Sequence, residues 1–258
     1  MKKILVKALF LALTGVLPVS AAWSQEEEHD HRISHKIELT DVRVLEIEGM
    51  FNVVLSQGLN ESVEIDAPCE VLDKISAKQS GKSFKMSVKD KVAQQYKVIF
   101  VKVTLKDPQQ IILKGAPKVR MFDVLACNRL ALQLSGSATF HGDVRAAEHI
   151  DLKMDGHTTL NSSFTAVKAS KVELSDYAVA EVIGYAPALT LVQSGNSRFG
   201  HKEYRTDKLD ARLSGVARAG LTVNKSLSAT VGDAAVLNYS GMPKTDISLS
   251  GVAKVEKF

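Results

Sequence analysis

The chain has 258 residues, 33 Lys and Arg against 29 Asp and Glu, and only 6% aromatic residues, so any interior must be filled by aliphatic and small side chains. Three of the lysines (Lys2, Lys3 and Lys7) stand in the first 24 residues, where no acidic residue answers them. The remainder therefore carries 30 basic against 29 acidic groups. A near-neutral balance with no basic run interleaved with aromatics excludes a nucleic-acid surface as the organising feature.

Residues 1–24 have the three-part form of a secretory signal peptide: lysines, an apolar run and small residues at Ser20, Ala21 and Ala22. Lys7, Thr14, Gly15 and Pro18 interrupt the run, which argues against a permanent span, and cleavage is expected near Ala21 or Ser24. The mature chain is expected to be exported and to keep no transmembrane segment. Residues 25–36 carry three consecutive glutamates with His29, His31 and His35, and read as a disordered linker. Such a stretch holds no fixed tetrahedron for a metal, and neither metal nor cofactor is expected.

Residues 37–107 read as strands. "VRVLEIEG", "FNVVLSQG", "SVEIDAP", "KSFKMSVKD" and "YKVIFVKVTLKD" alternate apolar and polar residues and stop at Gly, Asn, Asp or Pro. "PCEVLDKISAKQSG" is the one plausible helical turn. Cys69 and Cys127 are the only cysteines, and in an oxidising compartment they either join in a disulfide or remain two buried thiols.

From residue 108 to 258 one phrase recurs: "LQLSGSATF", "ARLSGVARA", "ISLSGVAKV". Taking the Gly of "SG" as reference, the position falls at Gly115, Gly136, Gly156, Asp176, Gly195, Gly215, Asp233 and Gly251, with spacings of 21, 20, 20, 19, 20, 18 and 18 residues. Two residues earlier stands a large apolar column (Leu113, Leu134, Met154, Leu174, Leu213), and two later a small one (Ala138, Ala178, Ser197, Ala217, Ala235). A unit this short cannot bury its own apolar face, so neighbours must stack. Strand alternation without a helical segment predicts an all-β, single-stranded parallel β-helix with coils about 4.8 Å apart. The Gly or Asp at the reference position suits a corner with positive φ.

The repeated "LSGSATF", "LSGVARA" and "LSGVAKV", the opening "VRVLEIEGMFNVVLSQGLNESVEIDAP" and the closing "ISLSGVAKVEKF" resemble the head GIN domain of bacterial auto-transporter adhesins. The likeness runs over about 41–258, with Gly49, Met50, Phe51 and Asn52 at the degenerate namesake triplet. It implies a right-handed β-helix, with 37–258 as one domain, in the periplasm or at the surface of a Gram-negative cell. It also implies a role in adhesion or envelope assembly, and brings no catalytic residues.

Enzymatic candidates gather in "HGDVRAAEHIDLKMDGH", namely Asp143, Arg145, His149, Asp151 and His157, with His141 beside them. Residues about 20 positions after Asp143 and Asp151 offer no second carboxylate, so no catalytic residue is assigned. Tyr177 and Tyr185, near the coil turns, are the expected partner contacts, while Tyr239 should point inward and Phe258 should cap the last coil. The sequence thus favours a non-enzymatic binding protein that offers a strand face to an envelope or surface protein or glycan. A carbohydrate-active β-helix enzyme and a purely structural homo-oligomer, paired through a flat face or an open coil end, are the alternatives.

Overall fold

The computed structural model describes residues 32–88 and 98–258. In chain order the elements are β1 (Arg32–Glu38), β2 (Val44–Gly49), β3 (Asn52–Gln57), β4 (Ser62–Pro68), α1 (Cys69–Leu72), β5 (Ile75–Ser80), β6 (Ser83–Val88), β7 (Phe100–Leu105), β8 (Gln110–Gly115) and β9 (Lys118–Met121). There follow β10 (Leu125–Leu134), β11 (Thr139–His141), β12 (Val144–Met154), β13 (Thr159–Ala166), β14 (Ala169–Leu174), β15 (Val179–Gln193) and β16 (Arg198–Phe199). The last are β17 (Tyr204–Leu213), β18 (Arg218–Val231), β19 (Val236–Ser240), β20 (Lys244–Leu249) and β21 (Lys254–Lys257). The expected leader, with His29 and His31 of the linker, lies outside the described residues.

The chain winds into a parallel β-solenoid with two strand faces. The first stacks β6, β2, β8, β10, β12, β14, β15, β17, β18 and β20 in parallel register. The second stacks β7, β3, β9, β11, β13, β15, β16, β18, β19 and β21. Both orders depart from the sequence at one place: the coil of β6 and β7 lies outside the earlier coil of β2 and β3. The chain gets there by turning outward after β3, so that β4 runs antiparallel on β7 and β5 antiparallel on β6. These strands close that end of the solenoid. Glu61 pins the excursion: its buried carboxylate accepts the backbone N–H of Val42 at 3.1 Å and of Lys106 at 3.0 Å.

The reading of 25–36 as disordered linker fails at its C-terminal end, because the chain is already strand at Arg32. β1 runs antiparallel to β4 with His35 opposite Ile65. Arg32 reaches the Asp66 carboxylate at 2.7 Å, the Ser34 hydroxyl donates to Glu64 at 2.9 Å, and Ile37 packs against the core. The sequence signal was the period-2 placement of Ile33, Ile37 and Leu39, masked by the charges between them.

All eight reference positions adopt positive φ, from +57° at Asp176 and Asp233 to +81° at Gly115. Gly49, at φ +116° and paired with Gly115, is a ninth corner of the same kind, with Ile47 before it and Val53 after it. Crowding makes the column small: a Cβ on Gly136 would sit 2.6 Å from the Gly115 carbonyl oxygen of the preceding coil. Where Asp replaces Gly, its carboxylate accepts the corner N–H of the coil before, Asp176 from Gly156 at 3.1 Å and Asp233 from Gly215 at 2.7 Å. A cross-coil backbone bond runs beside each of those two corners, 3.0 Å for Tyr177 N–H to Gly156 and 2.9 Å for Ala234 N–H to Gly215.

The large apolar column from Leu113 to Val231 is buried along its length, and the small column from Ala138 to Ala235 lies beside it with no exposure at all. One polar residue enters the leucine column: Gln193, whose amide donates to Ser197 Oγ and to the Arg218 carbonyl, both at 3.4 Å. Tyr239 packs inward against the core as expected. Phe258 does not cap the last coil. Residues 254, 256 and 258 alternate outward, so its ring, 62% exposed, lies back over Gly220, whose Cβ would meet it at 3.2 Å.

Candidate functional site

The two outer faces differ in what they leave unsatisfied. On the first, opposite charges pair, across coils or along one strand. Glu46 accepts Lys114 at 2.8 Å and Lys85 at 3.1 Å, and Lys171 pairs with Glu173 at 2.6 Å. Where the chain enters this face, Glu148 takes hydrogen bonds from Lys168 at 2.6 Å and Arg129 at 2.5 Å. These bonds hold its carboxyl down at about 2, the Lys168 contact contributing most. Such ladders make a solvated surface of little net binding energy.

The second face carries outward columns that the parallel register defines. Arg120, His141, Asn161 and Glu181 form one, and Asp143, Ser163 and Ile183 the next. Arg145, Thr165, Tyr185 and Arg205 form a third. Arg120 and Asp123 form no ion pair among the described residues. Between the first two columns lies a groove of about 650 Å³, lined among others by Arg120, Phe122, Asp123, His141, Asp143 and Asn161.

A local irregularity builds that groove. Between Met121 and Leu125 the chain has three residues, where the next coil has only Asp143 between Gly142 and Val144. The extra length bulges out and leaves Phe122 82% exposed with Val124 beside it. The opposite wall is fixed. The Asp143 carbonyl accepts Leu125 N–H at 2.8 Å, its carboxylate accepts Ser163 N–H at 3.0 Å, and the Ser162 hydroxyl bonds the Gly142 carbonyl. An exposed ring thus stands over a rigid floor of guanidinium, imidazole, amide and carboxylate groups. The column of Arg120, His141 and Asn161 rises one coil at a time, about 4.8 Å per step.

The residues expected from sequence are spread over several surfaces. Tyr185 lies on the groove face, one column over and two coils on from Asp143, near Asp207. Lys225 at 2.6 Å is the main cause of the lowered Asp207 carboxyl, with Asn224 and then Tyr185 adding to it. Tyr177 is at a coil corner instead, 55% exposed and stacked on His157 with centroids 4.7 Å apart and planes 11° apart. The enzymatic candidates do not meet: Asp143 and His141 line the groove, while His149 and Asp151 lie on the first face, Asp151 opposite Lys171. Among the described residues no three His, Cys, Asp or Glu side chains gather closely enough to hold a metal ion.

Asp143 has no carboxylate one coil onward, but Asp123 lies one coil back and shares its groove. Arg120, Phe122 and Asp123 belong to the groove without being marked by the repeat pattern. A signal existed: the Gly115 to Gly136 spacing is 21 where the next two are 20. No disulfide joins Cys69, which is exposed, to Cys127, whose partial burial pushes its thiol up to about 11.

A family model described as "Putative auto-transporter adhesin, head GIN domain" matches residues 43–243. Solved structures share the fold at low identity. A Parabacteroides distasonis protein described as a "putative lipid binding protein" superposes with a TM-score of 0.81 at 14% identity, over 88% of this chain and 96% of its own. A "putative adhesin" of the same species gives 0.80 at 13%, over 89% and 98%. A "putative adhesin" of Bacteroides fragilis gives 0.64 at 16%, over 88% and 97%. No protein of curated function matches the sequence.

Proposed function

The chain belongs to the head GIN domain family of auto-transporter adhesins, and from that premise we propose that it is an exported, non-enzymatic binding module. It holds a surface glycan on its second outer face, in the periplasm or outside the cell. One observation supports this most: the groove where Phe122 stands exposed beside Arg120, His141 and Asn161. Sugars present an apolar ring face and paired hydroxyls, and an exposed aromatic with fork-shaped donors and carboxylate acceptors meets both. A β-linked chain laid along the solenoid axis would meet one side chain of the Arg120 column per coil. Tyr185 extends the same face, whereas Tyr177, at its corner, falls outside this reading.

The test is an array of envelope and host glycans probed with the mature chain, with release of reducing ends followed in the same wells. Retention that drops at least about tenfold in Phe122→Ala and Arg120→Ala, without release, is the expected result. Retention that both variants keep would move the site elsewhere. Asp123 and Asp143 in one groove favour a second reading, glycoside hydrolysis by two carboxylates. Release of new sugar ends, abolished in Asp143→Asn, would establish it in place of the first.

A further inference from the structure

The two ends of the solenoid are finished differently. At one, the chain's own antiparallel strands β4 and β5 cover the coil of β6 and β7, and β1 adds a charged edge outside β4. At the other, β20 pairs only with β18, and β21 only with β19, so the outer edge of each is unpaired among the described residues. Positions that are buried one coil earlier stand open there. Leu249, in register with buried Val231, is 52% exposed, and Ile247, in register with Ala229, is 36% exposed. Val252 at the corner is 74% exposed. An edge of this kind offers a row of backbone donors and acceptors together with an apolar seam.

We propose that a second copy of the chain docks on this coil, end to end, through a two-fold axis at the Ser250–Gly251 corner. Because β20 runs toward the corner and β21 away from it, a two-fold axis bisecting the corner lays β20 antiparallel on β21 of the copy. Both edges are then paired at once. An axis at Ser250 brings Ile247 opposite Ala253 and Thr245 opposite Val255 on the inward side. It brings Lys244 opposite Glu256 and Asp246 opposite Lys254 on the outward side.

The charges carry the choice of partner, since every charged group from Lys244 to Glu256 then meets its opposite, each pair occurring twice by symmetry. Within one chain Lys254 and Glu256 make only a loose 4.0 Å pair, and no ion pair engages Lys244 or Asp246 among the described residues. At the far end β5 and β1 carry the outer edges and run antiparallel to the strands they cover, so a head-to-tail stack would not continue the parallel coil-on-coil register. The assembly stops at two copies and displays two groove faces, which strengthens attachment to a repetitive surface without any new contact.

Sedimentation equilibrium of the mature chain between roughly 1 and 100 μM tests this, in a range where a modest dimer dissociates. The expected result is a dimer. Asp246→Lys and Lys254→Asp should each weaken it at least about tenfold, because each sets like charges opposite one another twice. The double variant Asp246→Lys with Lys254→Asp should restore it. All four side-chain positions are on the outward side, so the far-UV spectrum checks that each variant stays folded. A monomer throughout overturns the proposal, as does a dimer indifferent to the single changes or one that the double variant fails to restore.

Discussion

A methyl group added at Gly136 tests whether backbone crowding or backbone twist makes the corner column small. With φ at +77°, an alanine there bears the left-handed penalty of about 1–2 kcal/mol. Its Cβ also lies 2.6 Å from the Gly115 carbonyl oxygen and 3.2 Å from the Gly115 Cα, backbone atoms of a coil locked in parallel register. Relief of such overpacking costs a further ~1–3 kcal/mol, so Gly136→Ala should lose about 3 kcal/mol. Gly81→Ala is the control: φ is +56° and nothing lies within 4 Å of its Cβ, leaving a loss of about 1 kcal/mol. Gly136→Asp should be milder than Gly136→Ala although the side chain is larger. Aspartate tolerates positive φ better, and its carboxylate can take the corner N–H of the preceding coil as Asp176 and Asp233 do. Urea midpoints followed by far-UV circular dichroism give the comparison. Equal losses for the two alanine variants, or an aspartate worse than alanine at 136, would refute the reasoning.

Two further outcomes follow from single carboxylates. Glu61→Ala strips the acceptor from the Val42 and Lys106 N–H groups and should cost about 2–4 kcal/mol in the same urea experiment, with Glu61→Gln losing roughly half as much. Glu148 is held at about 2 against an ordinary 4.5, so its contribution is complete above the ordinary value and is lost as pH falls through the folded one. Wild type should therefore be more stable than Glu148→Gln at pH 7, with the gap closing between about pH 5 and pH 2 in thermal melts; a gap constant over that window would show that the bonds to Lys168 and Arg129 contribute nothing.

The solenoid was legible because its cause is local and repeated. Each corner needs positive φ and lies against the corner of the coil before it, so Gly or Asp recurs at a fixed interval. The leucine and alanine columns are the inward positions on either side. Gly49 obeys the same rules, but the excursion through β4, α1 and β5 separates it from Gly115 by 66 residues, and a search at a 20-residue period passes over it. The order of the first two coils was hidden for a different reason. Which side of the β2–β3 coil the chain turns to after β3 depends on long-range pairing of β4 with β7 and on Glu61 reaching Lys106, neither of which leaves a periodic trace.

The groove shows why function was harder to read than fold. Regular repetition puts equivalent residues in columns, and on the first face selection of opposite charges in those columns leaves a surface that satisfies itself. A site needs groups that stay unsatisfied, and the solenoid supplies them where the repeat breaks. Two residues more between Met121 and Leu125 than between Gly142 and Val144 throw Phe122 out of the coil and set Asp123 into the groove of Asp143, beside an Arg120 that forms no ion pair among the described residues. In the sequence this amounts to one spacing of 21 among others near 20, since a compensating shift between Cys127 and Arg129 restores the phase. In this chain the period encodes what holds the coils together, and on the proposed reading of the groove the departure from it is where the surface is freed to bind.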